Sequence, residues 1–127
     1  MIRRWMTRPG FWWSLAVAWA LLIFGLSSRS DVPEPGAWWM PPHVDKLVHA
    51  LLFAVLAWAI GLALLFSRVP WHRAALIAFI SASTYGAIDE WHQRSVPGRS
   101  PDVLDWVADT VGAASVFAMR RRGGVPA

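Results

Sequence analysis

Four long apolar runs, separated by polar segments rich in proline, dominate the chain. Residues 11–26 are broken only by Ser14 and Gly25, and residues 47–66 only by His49 and Gly61. A third run, 74–88, carries Ser81, Ser83, Thr84 and Gly86, and a fourth, 103–119, holds Asp105 and Asp109 in its first half. Crossing a bilayer takes roughly 17–25 helical residues, so the last two runs need their flanks. The pattern predicts helices over about 11–28, 47–66, 72–91 and 103–120. The expected fold is all-α: an integral membrane four-helix bundle, one domain over residues 1–127. A soluble bundle is the weaker alternative, because the first two runs are apolar on every face.

The intervening segments agree with this division. Residues 27–46 include Pro33, Pro35, Gly36, Pro41 and Pro42, which cannot continue a helix. Residues 67–73 form a short connection through Pro70. Residues 91–102 contain Pro97, Gly98 and Pro101 and read as an ordered loop with a turn.

Charge then sets an orientation. With the N-terminus inside, the inner face carries Arg3, Arg4, Arg8, Arg68, Arg73, Arg120, Arg121 and Arg122. The outer face carries Arg29, Lys46, Arg94 and Arg99, and the imbalance favours both termini inside. All 8 acidic residues fall on the outer side or in the outer half of a helix. The net charge of +4 is therefore assigned to inner anchors facing anionic lipid, and no nucleic-acid partner is expected. Trp12, Trp13, Trp71, Trp91 and Trp106 lie at predicted helix ends, where indoles favour the interface. A cleaved signal peptide fits less well, since the first apolar run holds three tryptophans and no A-x-A-like site follows it. Cysteine is absent, which excludes disulfides, thiolate metal sites and cysteine nucleophiles.

Ionisable residues in membrane helices are costly and mark sites by default. Asp45 and His49 are i,i+4 neighbours at the outer end of the second helix, with Lys46 beside them. Asp89, Glu90 and Gln93 close the third helix. Asp102, Asp105, Asp109 and Gly112 form one narrow stripe on the fourth. Both loops concerned face the same side, so the stripes are expected to meet in a polar pocket in the outer leaflet. Ala82/Gly86 and Ala108/Gly112 are expected to let the third and fourth helices approach closely. Arg99, on the Pro97-Gly98 turn, is the expected cation over the acids, with Lys46 second. His43, His72 and His92 read as interfacial. A zinc set of His43, Asp45, His49 and His92 matches no closed ligand spacing, so neither metal nor cofactor is expected.

These residues also resemble a known family. Val44-Asp45-Lys46-Leu47-Val48-His49 followed by Phe53 is similar to the D-K-x-x-H-x-x-x-F signature of VanZ-like membrane proteins. Asp89-Glu90-Trp91-His92-Gln93 and Val96-Pro97-Gly98-Arg99-Ser100 resemble their D-E-x-x-Q and P-G-R-S block. Residues 105–112 resemble the D-x-x-x-N-x-x-G ending, with Asp109 where the family usually has asparagine. The resemblance covers roughly residues 44–118 and implies a multi-pass bacterial membrane protein of the cell membrane. It points to Asp45, Lys46, His49, Glu90, Gln93, Arg99 and Asp105 as functional positions, with Asp109 a departure. The family is named for a member associated with low-level teicoplanin resistance, a property not carried over to this chain.

The leading expectation is a pocket that binds, or binds and modifies, an anionic lipid-linked or cell-envelope substrate. His49, Glu90 and Asp105 are the catalytic candidates; Asp45, Lys46, Gln93, Arg99 and Asp109 are the binding candidates. No nucleophile motif, P-loop or dinucleotide fingerprint is present, so enzyme activity stays open. The alternatives are a non-enzymatic membrane accessory or packing subunit, and a small proton-coupled transporter relaying through Glu90, Asp105 and His49.

Overall fold

A computed structural model describes residues 4–30, 41 and 43–119. It is all-α, with helices α1 (Pro9–Ser27), α2 (Val44–Phe66), α3 (Trp71–Gln93) and α4 (Val103–Ala114). Single 3-10 turns precede α1 (Arg4–Thr7) and follow α4 (Ser115–Ala118). The prolines at positions 33, 35 and 42 and the arginines at 3 and 120–122 lie outside the described residues.

Local chemistry explains where the helices begin and end. Pro9 opens α1, where its missing N–H is no loss. At the end of α2, Arg68 takes a left-handed φ of 66°. Its N–H reaches Leu65 O at 2.9 Å and the Val69 N–H reaches Leu64 O at 3.0 Å, a Schellman closure before Pro70 starts the next helix. Between α3 and α4, Val96 to Arg99 close a turn with Arg99 N–H on Val96 O at 3.1 Å. Gly98 supplies the φ of +76° that this Pro-Gly turn requires. Asp102 then caps α4, accepting the Leu104 N–H at 2.8 Å.

The fourth helix is shorter than its apolar run predicts. The α-helix ends at Ala114 and tightens into the 3-10 turn, which turns Val116 and Met119 inward onto Gly61 of α2. Twelve α-helical residues rise about 18 Å, short of the roughly 30 Å hydrocarbon core. Among the described residues two helices, α1 and α2, are long and apolar enough to cross a membrane.

The packing inverts the usual arrangement of a soluble bundle. Its interior is made largely of small residues: Ala57, Ala63, Ala74, Ala78, Ala82 and Ala113, with Phe53, Leu56 and Val116 between them. Large apolar side chains point outward instead, with Leu21, Leu47, Leu51, Ile88, Leu104 and Val111 all exposed. Small residues allow helices to approach closely where lipid supplies no hydrophobic drive. Gly112 is the extreme case, since a Cβ there would lie 1.9 Å from Ala50 O. Gly112 therefore serves the α2–α4 contact, whereas Gly86 faces Asp109 and serves α3–α4. Side-chain donors tie the helices together. Trp19 Nε1 donates to Leu52 O at 2.8 Å and Tyr85 Oη to Ala20 O at 2.6 Å. Trp106 Nε1 donates to Ser83 O at 3.0 Å.

Candidate functional site

The antiparallel course of the helices gathers the end of α1, the start of α2, the end of α3 and the start of α4 at one end of the bundle. Nearly all the ionisable residues of the helices collect there. Lys46, on the first turn of α2, is the central cation. Its Nζ lies 2.7 Å from Asp102 Oδ2 and 3.1 Å from Asp45 Oδ2, and it also bonds Asp105 Oδ1. The lysine hydrogen bond, followed by the Leu104 N–H, holds the Asp102 carboxyl below its ordinary value of 3.8.

One turn further along α2, His49 faces α4 rather than Asp45 on its own helix. Its Nδ1 lies 2.8 Å from Asp109 Oδ1, and its Nε2 is 3.8 Å from Asp105 Oδ2. Asp109 is completely buried, and its second oxygen has no hydrogen-bond partner. The missing side chain of Gly86 makes room for it: a Cβ there would sit 2.9 Å from Asp109 Oδ2.

Glu90, at the end of α3, accepts the backbone N–H of Asp102 on Oε2 at 3.0 Å. This bond fastens the entry of α4 to the exit of α3. Its Oε1 is buried without a partner, as is Asp89 Oδ1. Gln93 turns toward α1, donating from Nε2 to Ser27 Oγ at 3.0 Å.

The sequence candidates thus divide. Lys46, His49, Glu90, Asp105 and Asp109 come together across three helices, with Asp45 at the edge. Gln93 is spent on α1. Arg99 is half-buried, and among the described residues its guanidinium makes no hydrogen bond or ion pair, so Lys46 occupies the position over the acids. Ser27 was missed, because a serine at the end of an apolar run carries no signal of its own. Asp102 lay on the acidic stripe, but its role as a cap and as the tie to Glu90 depends on the loop path. His92 lies apart, with Nε2 3.0 Å from Ser28 Oγ and its ring stacked on Phe24.

The family model described as VanZ/LLP1 matches residues 11–121, which includes the whole of this constellation. The chain belongs to the VanZ/LLP1 family. No curated protein and no solved structure matches it. Membership in VanZ/LLP1, two apolar helices among the described residues and large apolar side chains on the exterior together mark it as a membrane protein. The VanZ-like resemblance over residues 44–118 falls inside the matched span.

Chemically, the constellation offers an imidazole between two carboxylates, a neutralised lysine, and buried carboxylate oxygens without donors. Such an arrangement can hold protons, a cation or a polar headgroup. Nothing in it resembles an activated nucleophile.

Proposed function

We propose that this VanZ/LLP1 protein is a multi-pass protein of the cell membrane whose polar end faces the outer leaflet and binds an anionic lipid-linked or cell-envelope headgroup. Both termini lie inside, following the arginine distribution of the sequence. The observation that carries the reading is the half-buried Arg99 beside the acidic end of the bundle, with no bonded carboxylate among the described residues. Lys46 is committed to Asp45, Asp102 and Asp105, and Arg99, half-buried beside them, is the cation proposed to take a phosphate or carboxylate. His49 and Glu90 then stand nearby as acid–base candidates.

A packing role is the second reading. It is favoured by the Lys46 network and the Glu90–Asp102 bond, both of which join separate helices.

Native mass spectrometry of the purified protein with a polyprenyl phosphate, phosphatidylglycerol and phosphatidylcholine tests the proposal. Preferential retention of one of the anionic lipids, lost in Arg99→Gln, is the expected result. Equal retention of all three, or retention indifferent to Arg99→Gln, leaves the packing role.

A further inference from the structure

We infer that His49, Glu90 and Asp105 form a binding site for a divalent first-row cation, of the Mn²⁺ or Zn²⁺ kind. One ligand atom from each residue lies within 4.8 Å of the other two. Around a tetrahedral ion with bonds of about 2.1 Å, ligand atoms stand roughly 3.4 Å apart, a difference that side-chain rotation closes.

Proximity of acids alone would carry little. What distinguishes this group is that each member is anchored by one atom and open at the other. His49 is held at Nδ1 by Asp109, 2.8 Å away, which leaves Nε2 toward Asp105. A metal-ligating histidine characteristically donates its other ring N–H to such a carboxylate. Glu90 is held at Oε2 by the Asp102 N–H, and its Oε1 is buried with no partner. Asp105 is held at Oδ1 by Lys46, which leaves Oδ2 facing the imidazole.

Burial strengthens the case. Glu90 is 7% exposed, and a carboxylate oxygen out of water without a donor requires a proton or a cation. Lys46 serves Asp105 but has no bond to Glu90. A dication among the three would satisfy the free oxygen of Glu90 and offset the surplus of negative charge. One imidazole and two carboxylates suit Mn²⁺ or Zn²⁺ better than an all-oxygen ion, and three protein ligands leave a coordination position open. The set differs from the one weighed in the sequence, because His92 is placed on Ser28 and Phe24. It also stands independently of any lipid substrate.

The test uses the full chain in detergent, stripped with a chelator and titrated with Mn²⁺ alone, with no lipid ligand added. Electron paramagnetic resonance is expected to show saturable binding of one ion per chain, displaced by Zn²⁺. Spin-echo modulation on the wild-type protein should reveal one directly bound imidazole nitrogen, a readout that needs no variant to fold. His49→Gln and Glu90→Gln should each weaken binding by about tenfold or more, while the exposed Arg94→Gln leaves it unchanged. Absence of saturable binding, or a bound ion without nitrogen coupling, overturns the site.

Discussion

His49 on α2 and Asp109 on α4 meet at 2.8 Å, Nδ1 to Oδ1, inside a bundle whose outer surface is apolar. They are 60 positions apart in sequence. Their contact fixes the imidazole against α4, and Gly86 on α3 makes room for the carboxylate. Three helices therefore converge on one polar pair.

Replacing Asp109 separates charge from hydrogen bonding. Asp109→Asn keeps an oxygen to accept the His49 N–H and removes a buried carboxylate, so stability is expected to hold or rise. Asp109→Ala leaves the imidazole without its partner, at a cost of about 1–3 kcal/mol. Thermal unfolding in detergent should rank the alanine variant well below the asparagine variant; equal losses would show that the carboxylate charge matters, since asparagine keeps both the volume and the acceptor oxygen.

Gly112→Ala should be the most damaging single methyl in the bundle. The added Cβ would meet the Ala50 backbone carbonyl at 1.9 Å, with no flexible side chain to give way, so α2 and α4 must separate. A loss of about 1–3 kcal/mol or more is expected. Gly25→Ala, where nothing lies within 4 Å, is the matched control and should be neutral or slightly stabilising. Folded yield by size-exclusion chromatography checks both.

Lys46→Gln removes the cation shared by Asp45, Asp102 and Asp105. The expected loss is about 1–3 kcal/mol, from charged hydrogen bonds left unmade. Much of it should return in Lys46→Gln combined with Asp105→Asn, because the pair is coupled. A double-mutant cycle on melting temperature measures this, and strict additivity would mean that the contact contributes nothing.

Acid should loosen the entry to α4. Asp102 titrates below 3.8 in the folded protein, chiefly through Lys46. A depressed folded value means that the stabilisation is fully present above about pH 4 and lost as pH falls through the folded value. Hydrogen exchange at the Leu104 amide, capped by Asp102 at 2.8 Å, should therefore lose protection as pH falls below about 4. Protection unchanged in that window would show that the cap does not depend on the carboxylate charge.

The proposed orientation is checked by fusing a reporter after residue 127, which should read as internal. An external signal would reverse the assignment of the polar end to the outer leaflet.

Hydrophobic pattern alone determined the four helices, because apolar run length and helix-breaking prolines are local properties. The Pro97-Gly98 turn was equally legible, since only glycine takes its positive φ without strain. The sequence also placed Lys46, His49, Glu90, Asp105 and Asp109 at one end, because alternate helices reverse direction and odd-numbered loops share a side. It could not choose partners within that end. Asp45 and His49 have helical i,i+4 spacing, yet His49 turns to Asp109; Arg99 carries the right charge, yet Lys46 takes the acids. Those choices follow from which helices touch, and contact is decided by small residues such as Gly86 and Gly112. A missing side chain leaves room for a close neighbour, but only the tertiary structure says that it is Ala50 for Gly112 and Asp109 for Gly86. The early end of α4 has the same origin: its apolar run continues, but the inward packing of Val116 and Met119 on Gly61 lies in contacts more than 50 residues apart.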